Sequence, residues 1–410
     1  MSEPDEPPTV VERTNLSTTR FGEYVVMDRI ATGGMGTIDL AVHVPPHGIE
    51  RPVALKRLRK DLTEDAKFVA MFVDEVRIAA RISHPNVVPL LNAGICEGQW
   101  FYTMDLLSGV PLSQVFAHLA VQTGEAIRSR WPPVFVRWMA EACEGLHAAH
   151  ELRDERGELM NVVHRDVSPD NLFVGFDGAL RVIDFGIATA RDRLALTRTG
   201  VVRGKLGYIA PERLREGAAF DRRVDVWALG VTLWEGLTGR RLFANADAIA
   251  TVRAIQEGRV PPIRDFVSLV PIEVEEVVAR ALAVDPERRF PTARALGREL
   301  VMVAHHAGWD IDPGTSAAWI NELFGGAADR QRRVAEVLRS VRRETGSLEN
   351  EIEPVSTQPD LALRGSAHTE PETLLLKGTA SRSAPIPVWL LLVAGTLVGA
   401  LIATLVWWIV

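Results

Sequence analysis

The chain has 410 residues, room for one large domain or two ordinary ones with a tail. Hydrophobic residues make up 47% and charged residues 24%, the profile of a globular protein with an apolar surplus. A net charge of −7 excludes the basic footprint of a nucleic-acid binder, so nucleic acid is not an expected partner.

The first twenty residues, MSEPDEPPTVVERTNLSTTR, have neither a basic start nor an apolar run. They lack the pattern of a secretory signal and read as a disordered arm over 1–20. From 21 to 305 the apolar periodicity is regular, with short breaks. Early segments read as strands: Tyr24–Ile30, Thr37–Val44, Pro52–Leu58, Val87–Ala93 and Gln99–Leu107. Later segments read as helices. Pro132 and Pro133 suit a helix start, where a missing N–H costs nothing. Val134, Trp138, Ala142 and Leu146 then recur every fourth residue, one helix face. Val224–Leu237 is apolar on nearly every side, which predicts a buried helix. Strands followed by helices imply an α+β domain with a β-rich lobe and a helical lobe. The cysteines, Cys96 and Cys143, have no metal-ligand spacing; they could form one disulfide, but two reduced core thiols are the expectation.

Residues 306–345 read as a helical extension. Val334, Val337, Leu338 and Val341 form a narrow apolar stripe among Arg330, Arg332, Arg333, Arg339, Arg342 and Arg343. Packing on the domain or on a partner is the expectation, with a membrane-surface helix the alternative. Residues 346–387, rich in Glu, Thr, Ser and Pro, read as a disordered linker. Residues 388–410 run without a charge and predict a transmembrane helix, since about 1.5 Å per residue carries such a run across a core of about 30 Å. Trp389, Trp407 and Trp408 suit an aromatic belt. Lys377 and Arg382 on the N-terminal side orient that side toward the cytoplasm. The expected location is therefore the cell inner (plasma) membrane, single-pass, with the main domain cytoplasmic.

Several short stretches carry the chemistry. IATGGMGTI, residues 30–38, lies between two predicted strands; a glycine-rich turn by itself is more often a plain hairpin. VALK ends at Lys56 on the next strand, and Glu75 follows on a predicted helix. VVHRDVSPDN places Asp166 five residues before Asn171, and VIDFG contains Asp184. GKLGYIAPE, residues 204–212, contains Lys205 and ends at Glu212. DRRVDVWALG supplies Asp225 and DPERRF supplies Arg289.

In this order the stretches resemble the motifs of Hanks-type Ser/Thr protein kinases of bacterial form, and the resemblance covers about 280 of the 410 residues. It implies the two-lobed protein-kinase fold, ATP and Mg2+ as cofactors, and protein substrates. Ile30, Ala31, Thr32, Gly33, Gly34, Met35, Gly36, Thr37 and Ile38 would cover the phosphates, with Ala31 in place of the family's first glycine. Ala54, Asp105, Leu107 and Phe173 would complete the nucleotide site. Lys56, paired with Glu75, would hold the α- and β-phosphates. Asn171 and Asp184 would bind the metal, and Asp166 would take the acceptor hydroxyl's proton. Asp225 would brace the catalytic loop, and Arg289 would pair with Glu212.

The family's loop carries a lysine two residues after the catalytic aspartate; here Ser168 stands there. The family's activation segment carries a threonine where Lys205 stands. A spatial swap is expected, Lys205 supplying the charge near Asp166 and Ser168 the hydroxyl. Pro169 keeps the Ser/Thr pattern, and the tyrosine-kinase Ala-Ala-Arg is absent. Thr197 and Thr199 resemble autophosphorylation sites, with Arg165 as partner of the new phosphate. Membrane tethering would favour autophosphorylation in trans, and a homodimer is a further expectation. The competing reading is a pseudokinase scaffold that binds nucleotide and partners without efficient catalysis, supported by Ser168 and Ala31. A small-molecule phosphotransferase has less support, because the segment up to Glu212 suits a peptide substrate.

Overall fold

The computed structural model describes residues 19–324, apart from 34–35, 47–48, 122–123, 186–204, 216 and 244–246, together with Arg339. The chain divides into two units, Met1–Ile352 and Glu353–Val410, and every described residue belongs to the first. Residues 1–18, Val334, Val337, Leu338, Val341, the linker and the apolar run 388–410 lie outside the description. Among the described residues no helix is long and apolar enough to cross a membrane.

The N-terminal lobe is an antiparallel sheet of β1 (Thr19–Phe21), β2 (Tyr24–Thr32), β3 (Gly36–His43), β4 (Arg51–Leu58), β5 (Leu90–Cys96) and β6 (Gln99–Asp105). Its spatial order is β1-β2-β3-β4-β6-β5. One face packs Phe21, Tyr24, Val26, Ala41, Val53, Leu55 and Phe101 together. The other receives helix α1 (Ala66–Ala79), whose Phe72 meets Ala54, Leu58, Tyr102 and Met104. The Asp65 side chain caps α1 by accepting from the Lys67 amide.

The strand readings at 24–30, 37–44, 52–58 and 99–107 agree with β2, β3, β4 and β6 to within two residues at each end. Two readings need correction. Thr19 and Arg20, assigned to the arm, pair with Val26 and Val25 in β1, because Phe21 beside them is buried against Phe101. The strand expected from Val87 begins at Leu90: Pro89 has no N–H to donate, and Val87 bridges instead to Val182.

The C-terminal lobe contains α2 (Leu112–Val121), α3 (Glu125–His150), α4 (Arg223–Thr238), α5 (Ala248–Glu257), α6 (Ile272–Ala281), α7 (Ala293–His306) and α8 (Pro313–Phe324). Strands β7 (Gly109–Pro111), β8 (Leu172–Gly175) and β9 (Leu180–Val182) form a small sheet beside them. The face Val134, Trp138, Ala142 and Leu146 of α3 is wholly buried. Residues 224–237 of α4 are buried on every side, and α4 ends at Gly239 in the left-handed conformation.

Pro132 and Pro133 do not start α3. They lie inside it, a turn and more beyond Glu125. Tertiary bonds hold the early turns that the prolines cannot support: Trp131 Nε1 donates to the Gly236 carbonyl, Trp319 Nε1 to the Ile127 carbonyl, and Arg130 pairs with Glu322. Helix α8 comes from the segment read as an extension. Its Trp319, Ile320 and Leu323 belong to the core of the C-terminal lobe, and Trp319 stacks on Trp131 at 5.3 Å. Both cysteines are free thiols; burial pushes Cys143 well above the usual thiol range.

Candidate active site

The first half of the site lies under the sheet of the N-terminal lobe. Lys56 sits on β4 between Ile38 and Tyr102 of the neighbouring strands. Its Nζ donates to Glu75 Oε1 at 3.2 Å and to Asp184 Oδ1 at 2.9 Å. Burial works against the ammonium, but the two carboxylates outweigh it and raise its pKa. Burial raises Glu75. At Asp184 burial opposes the charge, yet Lys56 prevails and holds the carboxyl below its usual range.

The glycine turn joins β2 to β3. The Gly33 amide donates to the Gly36 carbonyl at 2.8 Å; Gly34 and Met35 lie outside the described residues. A Cβ on Gly36 would sit 2.0 Å from the Arg57 carbonyl, so glycine here lets β3 approach β4. Ala31 pairs with Ile38 as a strand residue without positive φ, which any residue can adopt. Ile30, Ala31 and Thr32 are exposed, while Thr37 and Ile38 are half-buried. Ala54 lies in a cluster with Met104, Leu107 and Ile183. Asp105 ends β6 and its carboxylate pairs with Arg51. Phe173 stands on β8 opposite Pro111.

The second half is held from below by Asp225 on the buried helix α4. Asp225 accepts from the His164 and Arg165 amides at 2.8 and 2.9 Å, and its Oδ2 lies 2.8 Å from His150 Nε2. Burial opposes ionisation at Asp225, but these partners win and depress its pKa. The bonds fix a loop in which Arg165 has φ +68°, and Asp184 nearby has φ +50°. Left-handed backbone is costly outside glycine and persists only where its surroundings over-determine it. His164 Nε2 reaches the Ile183 carbonyl at 3.2 Å and its ring lies against Phe185, tying this loop to the Asp184 segment.

Asp166 Oδ2 accepts from Asn171 Nδ2 at 2.9 Å and from Lys205 Nζ at 2.6 Å. Asn171 Nδ2 also donates to the Asp166 carbonyl, which leaves its own Oδ1 turned to other partners. Ser168 departs from the expected exchange. Its Oγ is buried and has no hydrogen-bond partner among the described residues, because the Lys205 ammonium goes to the Asp166 carboxylate. Thr197 and Thr199 lie outside the described residues. Glu212 and Arg289 form a buried two-pronged pair, both bonds at 2.8 Å.

Hard oxygen donors on Asn171 and Asp184 fit Mg2+, which takes few protein ligands and completes its shell with phosphate and water. Sequence reasoning missed three site-side groups. The Tyr102 hydroxyl lies within hydrogen-bond distance of both Glu75 and Asp184, His150 supports Asp225, and buried Asp39 pairs with Arg29 and Arg57. None stands in a chemical motif; only the apolar run WFY within QWFYTMD, whose residues 101–104 are all buried, signals that Tyr102 lies inside.

The protein kinase domain model matches residues 24–301, and the chain belongs to that family. The tyrosine-protein kinase MasK of Myxococcus xanthus is 42% identical over 280 residues, 68% of this chain and 43% of that protein. The serine/threonine-protein kinase PrkC of Bacillus subtilis is 30% identical, covering 68% and 40%. The serine/threonine-protein kinase PknL of Mycobacterium tuberculosis is 31% identical, covering 68% and 65%. The chain thus spans less than two thirds of the length of these relatives. A crystal structure of the Mycobacterium tuberculosis PknI kinase domain superposes with TM-score 0.52 at 25% identity, over 70% of this chain and 97% of that one.

Proposed function

We propose that this protein transfers the γ-phosphate of ATP to protein hydroxyl groups. The observation that carries the reading is the convergence of Lys205 and Asn171 on the Asp166 carboxylate, with Asp184 held by Lys56. Lys56 would hold the α- and β-phosphates, positioned by Glu75. Asn171 and Asp184 would hold Mg2+, which when bound neutralises charge on the phosphate oxygens. Asp166 would orient the acceptor hydroxyl and take its proton. Lys205 would offer its ammonium to the γ-phosphate, the task left open by Ser168.

Serine and threonine are the proposed acceptors, supported by Pro169 and by the names of PrkC and PknL. Tyrosine is the second reading, favoured by the similarity to MasK. The full-length chain, incubated with radiolabelled ATP and Mg2+ beside Asp166→Asn, tests the proposal. Label on the first and none on the second is expected, with acid hydrolysis releasing phosphoserine or phosphothreonine. Phosphotyrosine alone would replace the acceptor assignment; equal labelling of both proteins would remove Asp166 from the reaction, and no label on either would favour the nucleotide-binding scaffold. Mass spectrometry of the same sample is expected to find phosphate on Thr197 or Thr199.

The run 388–410 is proposed to anchor the protein in the inner (plasma) membrane with the kinase domain cytoplasmic, and tethering would favour dimers that phosphorylate in trans. Deleting 388–410 is expected to move the protein from the membrane pellet to the supernatant on cell fractionation. Retention in the pellet would remove the anchor assignment.

A further inference from the structure

The mechanism above leaves one group at the site without a role. Tyr102, on β6, is buried, and its ring packs on Phe72 of α1 with centroids 5.4 Å apart. Its hydroxyl lies 3.0 Å from Glu75 Oε1 and 3.0 Å from Asp184 Oδ1. These same two oxygens accept from Lys56 Nζ, which also stands 5.2 Å from the Tyr102 ring centroid. The four groups close a ring: ammonium, carboxylate, hydroxyl, carboxylate.

The donor count gives the hydroxyl its meaning. An ammonium has three protons and can serve both carboxylates at once; a phenol has one and serves one of them at a time. Without the hydroxyl, Lys56 alone would join two acceptors of like charge from separate elements, α1 and the segment after β9. With it, whichever carboxylate accepts the phenolic proton is also tied to β6, a central strand that cannot shift without breaking its ladders to β4 and β5.

We propose that Tyr102 is a positioning residue: its hydroxyl holds α1, through Glu75, and Asp184 in register with Lys56 before nucleotide arrives. Its relevance to catalysis rests on the kinase reading, but the contact itself does not. Tyr102→Phe keeps the ring, its packing and its place beside Lys56, and removes only the hydroxyl.

The test uses the full chain, without nucleotide, by amide hydrogen exchange. Tyr102→Phe is expected to speed exchange across Ala66–Ala79 about tenfold, the scale of one hydrogen bond to a charged group, with α3 and α4 unchanged. Tyr24→Phe, which alters a buried hydroxyl bonded to Asn92 on the other face of the sheet, serves as control and should leave α1 unchanged. In a Glu75→Gln background the effect of Tyr102→Phe should shrink by more than half, since it would act through that carboxylate. In the labelling assay Tyr102→Phe should raise KM for ATP more than it lowers kcat.

Unchanged exchange in α1 would overturn the proposal. So would equal acceleration throughout the C-terminal lobe, which would reduce the hydroxyl to general packing, or an undiminished effect in the Glu75→Gln background. If wild-type protein transfers no label yet α1 responds as expected, the kinase reading fails and the positioning contact stands.

Discussion

Replacing Lys205 by alanine is expected to lower the phosphoryl-transfer rate at least about a hundredfold, the scale of losing one charge contact in a transition state. The Lys205 ammonium lies 2.6 Å from Asp166 Oδ2, the carboxylate proposed to take the acceptor hydroxyl's proton. No other lysine or arginine side chain donates to Asp166 among the described residues. The Lys205 side chain is 42% exposed, so its loss should leave the melting temperature nearly unchanged. Single-turnover kinetics beside a thermal melt would separate the two effects. A rate within threefold of wild type would remove Lys205 from the mechanism and leave a catalytic loop without its lysine. Lys205→Arg makes a useful companion. A planar guanidinium cannot reproduce a compact ammonium in this place, so only partial activity should return.

Arg289→Leu is expected to destabilise the domain by about 3–5 kcal/mol, the cost of leaving a buried charge unpaired. Both members of the Glu212–Arg289 pair are buried, and Arg289 further donates to the carbonyls of Ala283, Arg223 and Val284. The substitution would strand the Glu212 carboxylate and these three acceptors together. Glu212→Gln should cost less, because the amide oxygen still accepts one guanidinium bond and Arg289 keeps its three carbonyl partners, although the guanidinium loses its counter-charge. Urea titration of the two variants checks the order. Equal losses would mean that the lost counter-charge, not the number of stranded acceptors, sets the cost. Since Glu212 closes the segment that begins at Lys205, Arg289→Leu should also lower activity at temperatures where the fold is still intact.

The candidate site residues were legible because they are bound to local patterns. A lysine at the end of the tetrapeptide VALK, an aspartate five residues before an asparagine and a glycine turn between strands all lie within short windows. Strands β2, β3, β4 and β6 were legible from short apolar runs bounded by breaks, although burial does not alternate strictly along them because both faces of the sheet are covered. Pro132 and Pro133 misled because the rule for a helix start is local, whereas the turns before them are held by Gly236, Trp319 and Glu322, all more than a hundred residues away. Likewise the sequence set 306–345 apart as an extension packed on the domain or on a partner, whereas Trp319 of α8 belongs to the core of the C-terminal lobe and stacks on Trp131.

The family, the two-lobed α+β order and the identities of Lys56, Glu75, Asp166, Asn171 and Asp184 as candidate site residues were determined by the sequence alone, since each rests on residue type and spacing along the chain. The exchange at Ser168 could be posed from sequence but not resolved, because distance between a loop at 168 and a turn at 205 is not a property of either segment. Tertiary structure decided that the Lys205 ammonium meets the Asp166 carboxylate, while the Ser168 hydroxyl faces inward. It alone brought Tyr102 from β6 between a helix carboxylate and Asp184. The physical reason is the same in both cases. Hydrogen bonds and charge pairs act over about 3 Å in space, and only the folded packing of distant segments sets which groups stand that close.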